Sequence, residues 1–212
     1  MTLVAYTKIK PDSDLKSLWT RVEKAFSKKE TEAYFSEIRE RKNQDGNKES
    51  LSALLVLAAL LERADIPSFD LILDRHESGK PYFSNSPIEF SLSHSHGYAA
   101  AAISDSSRVG IDVETAQISA EKAEKLAQRF FSEAEIKEFQ AAPQSFLKIW
   151  TKKEALAKML GTPLSDLIAI EKKTPNTKRE NTFFYELSAD GHPMTVCLEK
   201  SCEITCLGEI NV

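Results

Sequence analysis

The stretch from Ala53 to Leu61 in SLSALLVLAALLERAD is the longest apolar run in the chain, and it constrains the fold more than any other segment. It is too short to span a bilayer, and polar residues flank it on both sides. It therefore reads as a buried core helix, from about Ser50 to Ala64, ended by Ile66-Pro67. A helix apolar around most of its surface must be covered by other elements. At 212 residues and 42% hydrophobic content, the chain has the material to cover it.

That material alternates between two periods. MTLVAYTKIKPDSD reads as a first strand rather than a secretory signal, because charged residues arrive too soon for an apolar signal core. DSDLKSLWTRVEKAF follows with Asp and Ser at an N-cap and Leu15, Leu18, Val22 and Phe26 at helical spacing. A charged stretch, SEIRERKNQDGNKES, leads into the core helix. LILDRHESGKPYFSNSPIEFSLSHSHGYAAAAIS is broken by Gly, Pro, Asn and Ser into short strands. FSLSHS, GYAAAAIS and RVGIDVE are expected to neighbour one another as a meander.

From Ser119 the pattern is helical: EKAEKLAQRFF, SEAEIKEFQAA, and a longer helix in PQSFLKIWTKKEALAKMLG that stops at Gly161-Thr162-Pro163. DLIAIE, TFFYELS, MTVCLE and CEITCLGEINV are read as strands, with Asp190-Gly191 as a hairpin turn and KKTPNTKREN as a loop. Helices on antiparallel sheets in each half define an α+β fold, with a boundary near residue 105 between subdomains 1–105 and 106–212.

Charge and cysteine usage exclude several classes. A formal net charge of -4 argues against a duplex nucleic-acid binder. Cys197, Cys202 and Cys206 fit neither a zinc pattern nor a disulfide framework, and read as buried or partly buried free thiols of a cytoplasmic protein. There is no GxxxxGK[ST] loop and no GxSxG elbow.

Three stretches carry candidate chemistry. In RVGIDVE, alternation puts Val109, Ile111 and Val113 on one face and Gly110, Asp112 and Glu114 on the other, so both acids look the same way. That face is either plain solvent or a site. In KIWTKKEALAKML, Trp150, Glu154 and Lys158 share a helix face, as a surface ion pair or as part of that site. In FFSEAEIKEF, Ser132 and Glu135 form a capping box. In SLSHSHGY, His94 and His96 could bind an anion, ligate a metal, or be structural strand histidines. Lys80 in GKPYF meets either a phosphate or water. Together, Asp112, Glu114 and Glu154 are hard oxygen ligands suited to Mg²⁺ or Mn²⁺, while Lys158, Lys80 and His94 suit phosphate.

GKPYF, FSLSHS, VGIDVE, RFFSEAE and FLKIWTKKEALAKMLGTPL occur in an order and spacing that resembles the Sfp-type 4'-phosphopantetheinyl transferases. The resemblance covers residues 79 to 164, and its most specific pair is VGIDVE with WTKKEALAK. It implies two α+β subdomains in a pseudo-twofold arrangement, coenzyme A in the cleft between them, and Mg²⁺. The implied reaction moves the phosphopantetheine arm to a serine of an apo acyl, peptidyl or polyketide carrier protein, releasing adenosine 3',5'-bisphosphate. Asp112 and Glu154 would be metal ligands, and Glu114 a ligand directly or through water. Lys158 would hold the pyrophosphate, and Lys80, Ser93 and His94 would contact coenzyme A. Glu135 would lie near the reacting centre and relay the serine proton; Glu154 or a metal-bound water could serve instead. KESLSALL departs from the pattern by placing Glu49 where many relatives have Arg, which leaves Glu49 outside the site and Lys48 as the candidate substitute. His96 is expected to be structural. Lys148, Lys152 and Lys153 could form a basic patch for an acidic carrier or the solvated face of their helix. Two internal halves permit a monomer to build the whole cleft, with no membrane or nucleic-acid partner. The competing readings are a Mg²⁺-dependent phosphohydrolase and a noncatalytic module that binds coenzyme A or a carrier protein.

Overall fold

In the computed structural model, which describes residues 1–173 and 181–212, the core helix α3 runs over Gln44–Arg63. It starts six residues earlier than its apolar run suggests, because Asn43 caps it by accepting from the Gly46 amide. Leu51, Leu54, Leu57, Leu60 and Leu61 on α3 are fully buried. Helix α1 (Leu15–Ala25) lies against it, capped by Asp14 as expected. The segment before α3 holds a further helix, α2 (Glu32–Arg39), which buries Tyr34, Phe35 and Ile38; its charged residues mask that short apolar stripe in the sequence.

Strands β1 (Thr2–Lys8), β4 (Glu89–Ser95), β5 (Tyr98–Ser104) and β9 (Ile204–Glu209) form the first sheet, in the order β4-β5-β1-β9. The short strands β2 (Leu73–Arg75) and β3 (Pro81–Phe83) pair as a hairpin beside it. One face of the first sheet, with Leu3, Ala5, Phe90, Ala101 and Ile103, packs on α1, α2 and α3. Its other face, with Val4, Tyr6, Ala100 and Ala102, packs on a second sheet. A sheet covered on both sides has no wet face, which accounts for the uninterrupted YAAAAIS of β5.

The second sheet, β6 (Val109–Val113), β8 (His192–Leu198) and β7 (Phe183–Ala189), has the order β6-β8-β7. Its hairpin turn at Asp190-Gly191 is as expected, with both residues at positive φ. The expected meander through β4, β5 and β6 is not formed. Strand β5 is already paired on both edges, with β4 and β1, so β6 joins β8 instead.

Helices α4 (Ala120–Phe130), α5 (Glu133–Ala141) and α6 (Phe146–Leu160) follow β6. Helix α6 covers the second sheet and ends at Gly161, whose φ of 67° is the left-handed C-cap. The DLIAIE segment is not a strand: it lies within helix α7 (Leu164–Lys173). Leu167 and Ile168 are buried and Ile170 is exposed, a helical rather than an alternating pattern, and Pro163 just before Leu164 suits a helix start. Of the KKTPNTKREN segment, 174–180 lie outside the described residues. The layers are thus helices, first sheet, second sheet, helix, in a mixed α+β fold. Among the described residues no helix is long and apolar enough to cross a membrane. Cys197 is buried and Cys202 partly so, but Cys206 is exposed, contrary to expectation, because it sits on edge strand β9.

Candidate active site

Strand β6 brings its two acids to a face that is not wet. Val109, Ile111 and Val113 fill the space between the sheets, while Gly110, Asp112 and Glu114 turn the other way, as alternation requires. At Gly110 the backbone of α6 comes close to the strand. A Cβ there would lie 2.0 Å from the Ala155 carbonyl oxygen and 2.4 Å from the Met159 nitrogen, so glycine is what lets the helix backbone settle on the strand. The same contact places Lys158 and Glu154 of α6 over the β6 acids.

Among the described residues no strand pairs with the outer edge of β6. Its amides at Ile111, Val113 and Thr115 donate instead to the hydroxyls of Ser91, Ser93 and Ser95 on β4, at 3.1, 3.2 and 3.2 Å. Lys80 reaches the same edge and donates to the Val109 carbonyl at 3.3 Å. Side chains thus cover a strand edge that would otherwise expose its polar backbone.

Asp112 is buried. Its Oδ1 accepts from Lys158 Nζ at 2.7 Å and from Ser93 Oγ at 2.8 Å, and Lys158 also donates to Ser93 Oγ at 2.9 Å. Burial nevertheless pushes the Asp112 carboxyl above its ordinary range, against the opposing pull of Lys158. Glu154 is pushed up as well, first by burial and then by the charge of Asp112, with Lys158 opposing. No hydrogen bond ties down the Glu154 carboxylate among the described residues. Glu114 accepts from the Ser95 hydroxyl and from the Ala116 amide, both on Oε1. Burial lowers the pKa of Lys80, whose ammonium also faces Glu89. Lys80, Glu154 and Lys158 line one cavity of about 340 Å³ with Pro81, Thr162 and Leu164.

These groups suit a hard cation and an anion side by side. Among the described residues Glu154 lacks a hydrogen-bond partner, and Asp112 and Glu114 each use one oxygen for protein contacts, so oxygen donors remain for a divalent ion. Among the described residues, however, no three His, Cys, Asp or Glu side chains converge as a ready cage.

Other candidates from the sequence lie elsewhere. His94, next to Ser93 in β4, points to the opposite face, where its Nδ1 is 2.9 Å from Glu49 Oε2 on α3. Glu49 also accepts from the Gly97 amide at 3.0 Å, and the His94 hydrogen bond holds its carboxyl below the usual range. Lys48 lies beside it on α3 with no ion pair among the described residues. His96 leaves the strand for the two-residue His96-Gly97 turn, at φ 40°, so it shares no strand face with His94. The capping box at Ser132 and Glu135 is formed. Glu135 is further bound by Lys153 Nζ at 2.9 Å, and among the described residues it shares no hydrogen bond with the partners of the β6 acids. The Trp150 ring packs with Phe130 and Phe146. Of the basic residues on α6, Lys153 is buried between Glu135 and Glu171, and Lys152 pairs with Glu186 at 2.5 Å. The residues missed in the sequence are Ser91, Ser95 and Gly110. The S-x-S-x-S spacing of SLSHS, which puts three hydroxyls on one strand face, was the available signal.

A sequence model of the 4'-phosphopantetheinyl transferase superfamily matches residues 108–202. The chain is 36% identical over 123 residues to the 4'-phosphopantetheinyl transferase gsp of Aneurinibacillus migulanus, covering 56% of this chain and 50% of that protein. It is 34% identical over 123 residues to the 4'-phosphopantetheinyl transferase AcpT of Salmonella typhi, covering 55% and 62%. Against the 4'-phosphopantetheinyl transferase HetI of Nostoc sp. it is 34% identical over 107 residues, covering 46% and 45%. The matched stretch spans about half the length of these relatives. Over residues 108–202, which hold Asp112, Glu114, Glu135, Glu154 and Lys158, the chain is a match to the 4'-phosphopantetheinyl transferase superfamily, as VGIDVE, RFFSEAE and FLKIWTKKEALAKMLGTPL led one to expect.

Proposed function

We propose that this protein transfers the 4'-phosphopantetheine arm of coenzyme A to a serine of an apo carrier protein, releasing adenosine 3',5'-bisphosphate, with Mg²⁺ or Mn²⁺ bound by Asp112, Glu154 and Glu114. The observation that carries this reading is the knot of Asp112, Ser93 and Lys158 beside a cavity that Lys158 and Glu154 line, with Asp112, Glu154 and Lys158 inside the stretch that matches the superfamily. A bound divalent cation would supply positive charge to the pyrophosphate oxygens. The chain's own residues do the rest. Lys158, held in place by Asp112, faces the cavity and neutralises charge that builds on the leaving side. Lys80 adds a second donor to the same cavity.

The incoming serine needs a proton acceptor. Glu154 is the better candidate, because it lines the cavity with Lys158 and its carboxylate has no competing hydrogen bond among the described residues. Glu135 is already held by the Ser132 amide and by Lys153, which supports a structural role for it. His94 sits across β4 from the acids, so a contact with coenzyme A would be made at a more distant part of the ligand.

Intact-mass spectrometry of an apo acyl or peptidyl carrier protein incubated with this protein, coenzyme A and Mg²⁺ tests the reading. The carrier is expected to gain one phosphopantetheine arm, and to gain none with EDTA or with Asp112→Ala. Binding of coenzyme A with no transfer to several carriers would favour a binding module, and release of a phosphate product without any carrier would favour a phosphohydrolase.

A further inference from the structure

The three hydroxyls along β4 do more than cover an edge. A serine hydroxyl has one proton to donate and can accept up to two hydrogen bonds. Ser93 uses them all: it accepts from the Val113 amide and from Lys158, and its own proton goes to Asp112 Oδ1. Ser95 makes a related arrangement one pleat further on, accepting from the Thr115 amide and, at 3.4 Å, from the Thr115 hydroxyl, donating to Glu114 Oε1, and lying 3.2 Å from His96 Nδ1. The Ala116 amide meets that same oxygen at 2.8 Å. Ser91 accepts from the Ile111 amide, but the β6 residue opposite it is Gly110, so there is no acid for it to aim. The pairs Ser93 with Asp112 and Ser95 with Glu114 follow from the period of two in both strands.

We propose that Ser95 is a positioning residue for Glu114: it fixes Oε1 and leaves Oε2 turned outward as a cation-binding oxygen. The inference rests on the function proposed above and concerns a residue outside its ligand set. Glu114 lies at the end of β6, just past its last strand residue, where a flexible carboxylate would otherwise sample many rotamers. Two donors on one oxygen remove most of that freedom before any cation arrives, and hydrogen bonds behind a ligand set its affinity.

Ser91→Ala supplies the control. It removes the same kind of amide acceptor from the joint between the strands, but it releases no acid. Mn²⁺ affinity of the full chain, with and without coenzyme A, is measured from the free-ion electron paramagnetic resonance signal, and transfer to an apo carrier is followed against Mn²⁺ concentration. Ser95→Ala is expected to weaken Mn²⁺ binding about tenfold or more, raising the Mn²⁺ needed for half-maximal rate while the rate at saturating Mn²⁺ changes little. Ser91 borders the cavity, so its control readout is Mn²⁺ binding without coenzyme A, where Ser91→Ala is expected to lower the melting temperature and leave that binding unchanged. Ser95→Cys, close in shape with a weaker donor, should fall between wild type and Ser95→Ala, and serves if Ser95→Ala does not fold. Wild-type affinity in Ser95→Ala or Ser95→Cys, or an equal loss in Ser91→Ala, overturns the inference alone. A wild-type protein that binds no Mn²⁺ and modifies no carrier overturns the proposed function and the inference with it.

Discussion

Gly110→Ala tests whether the close seating of α6 on β6 builds the site. The new Cβ would meet the Ala155 oxygen at 2.0 Å, whereas real Cβ atoms essentially never come within 3.0 Å of such a neighbour. The helix must therefore withdraw by about 1 Å, because both obstructing atoms are backbone and neither can rotate away. Replacing glycine by alanine in an extended strand returns roughly 0.4–1 kcal/mol through the unfolded chain. Overpacking costs typically about 1–3 kcal/mol, and the upper end is expected here. The net loss of about 2 kcal/mol corresponds to a fall in melting temperature of about 4–8 °C for a chain of this size. Function should suffer more than stability. Lys158 and Glu154 ride on the displaced turn, and the Lys158 to Asp112 contact of 2.7 Å cannot be kept without rearrangement. A misplacement of about 1 Å can cost about a hundredfold in rate. Thermal unfolding and carrier-protein modification measured on the same preparations provide the assay. A variant that melts within about 1 °C of wild type and modifies the carrier at the wild-type rate would refute the argument.

Two further predictions follow from ion pairs outside the cavity. Lys153→Met strands Glu135 and Glu171 beside a newly apolar side chain, and should cost about 2 kcal/mol in urea unfolding. Adding Glu135→Gln and Glu171→Gln should recover much of that loss; no recovery would mean that the lysine matters for its packing and not its charge. The Glu49 carboxyl is held below its ordinary value of 4.5 by the hydrogen bond with His94. A depressed folded-state pKa contributes stability that is present above the unfolded value and lost as pH falls through the folded one. The stability difference between wild type and Glu49→Gln should therefore shrink on acidification below about pH 4.5, as read by melting temperature across an acid series. A difference independent of pH would show that the contact acts through shape alone.

Much of the site was legible because period-two alternation is a local property. Asp112 and Glu114 had to share a face once RVGIDVE was a strand, and Glu154 and Lys158 had to share one once KIWTKKEALAKML was a helix. The capping box and the Asp190-Gly191 turn were legible for the same reason. What failed was local in another way. DLIAIE is too short for periodicity to separate a strand from a helix, and packing on α6 decides for the helix. The α2 stripe is hidden among charges. Glu49 was set aside by comparison with relatives, yet its side chain joins α3 to the β4–β5 turn.

The sequence by itself determined the element types of most of the chain, the α+β class, and which side chains could stand together on one strand or one helix, because those follow from backbone periods of 2 and 3.6 residues. Only the tertiary structure decided which faces meet. Strand β6 went to the second sheet because β5 had no free edge, Gly110 let α6 come down onto it, and the serines of β4 closed its open edge. Those are contacts between residues far apart in the chain, and their strength depends on burial and hydrogen-bond satisfaction, which no local pattern encodes.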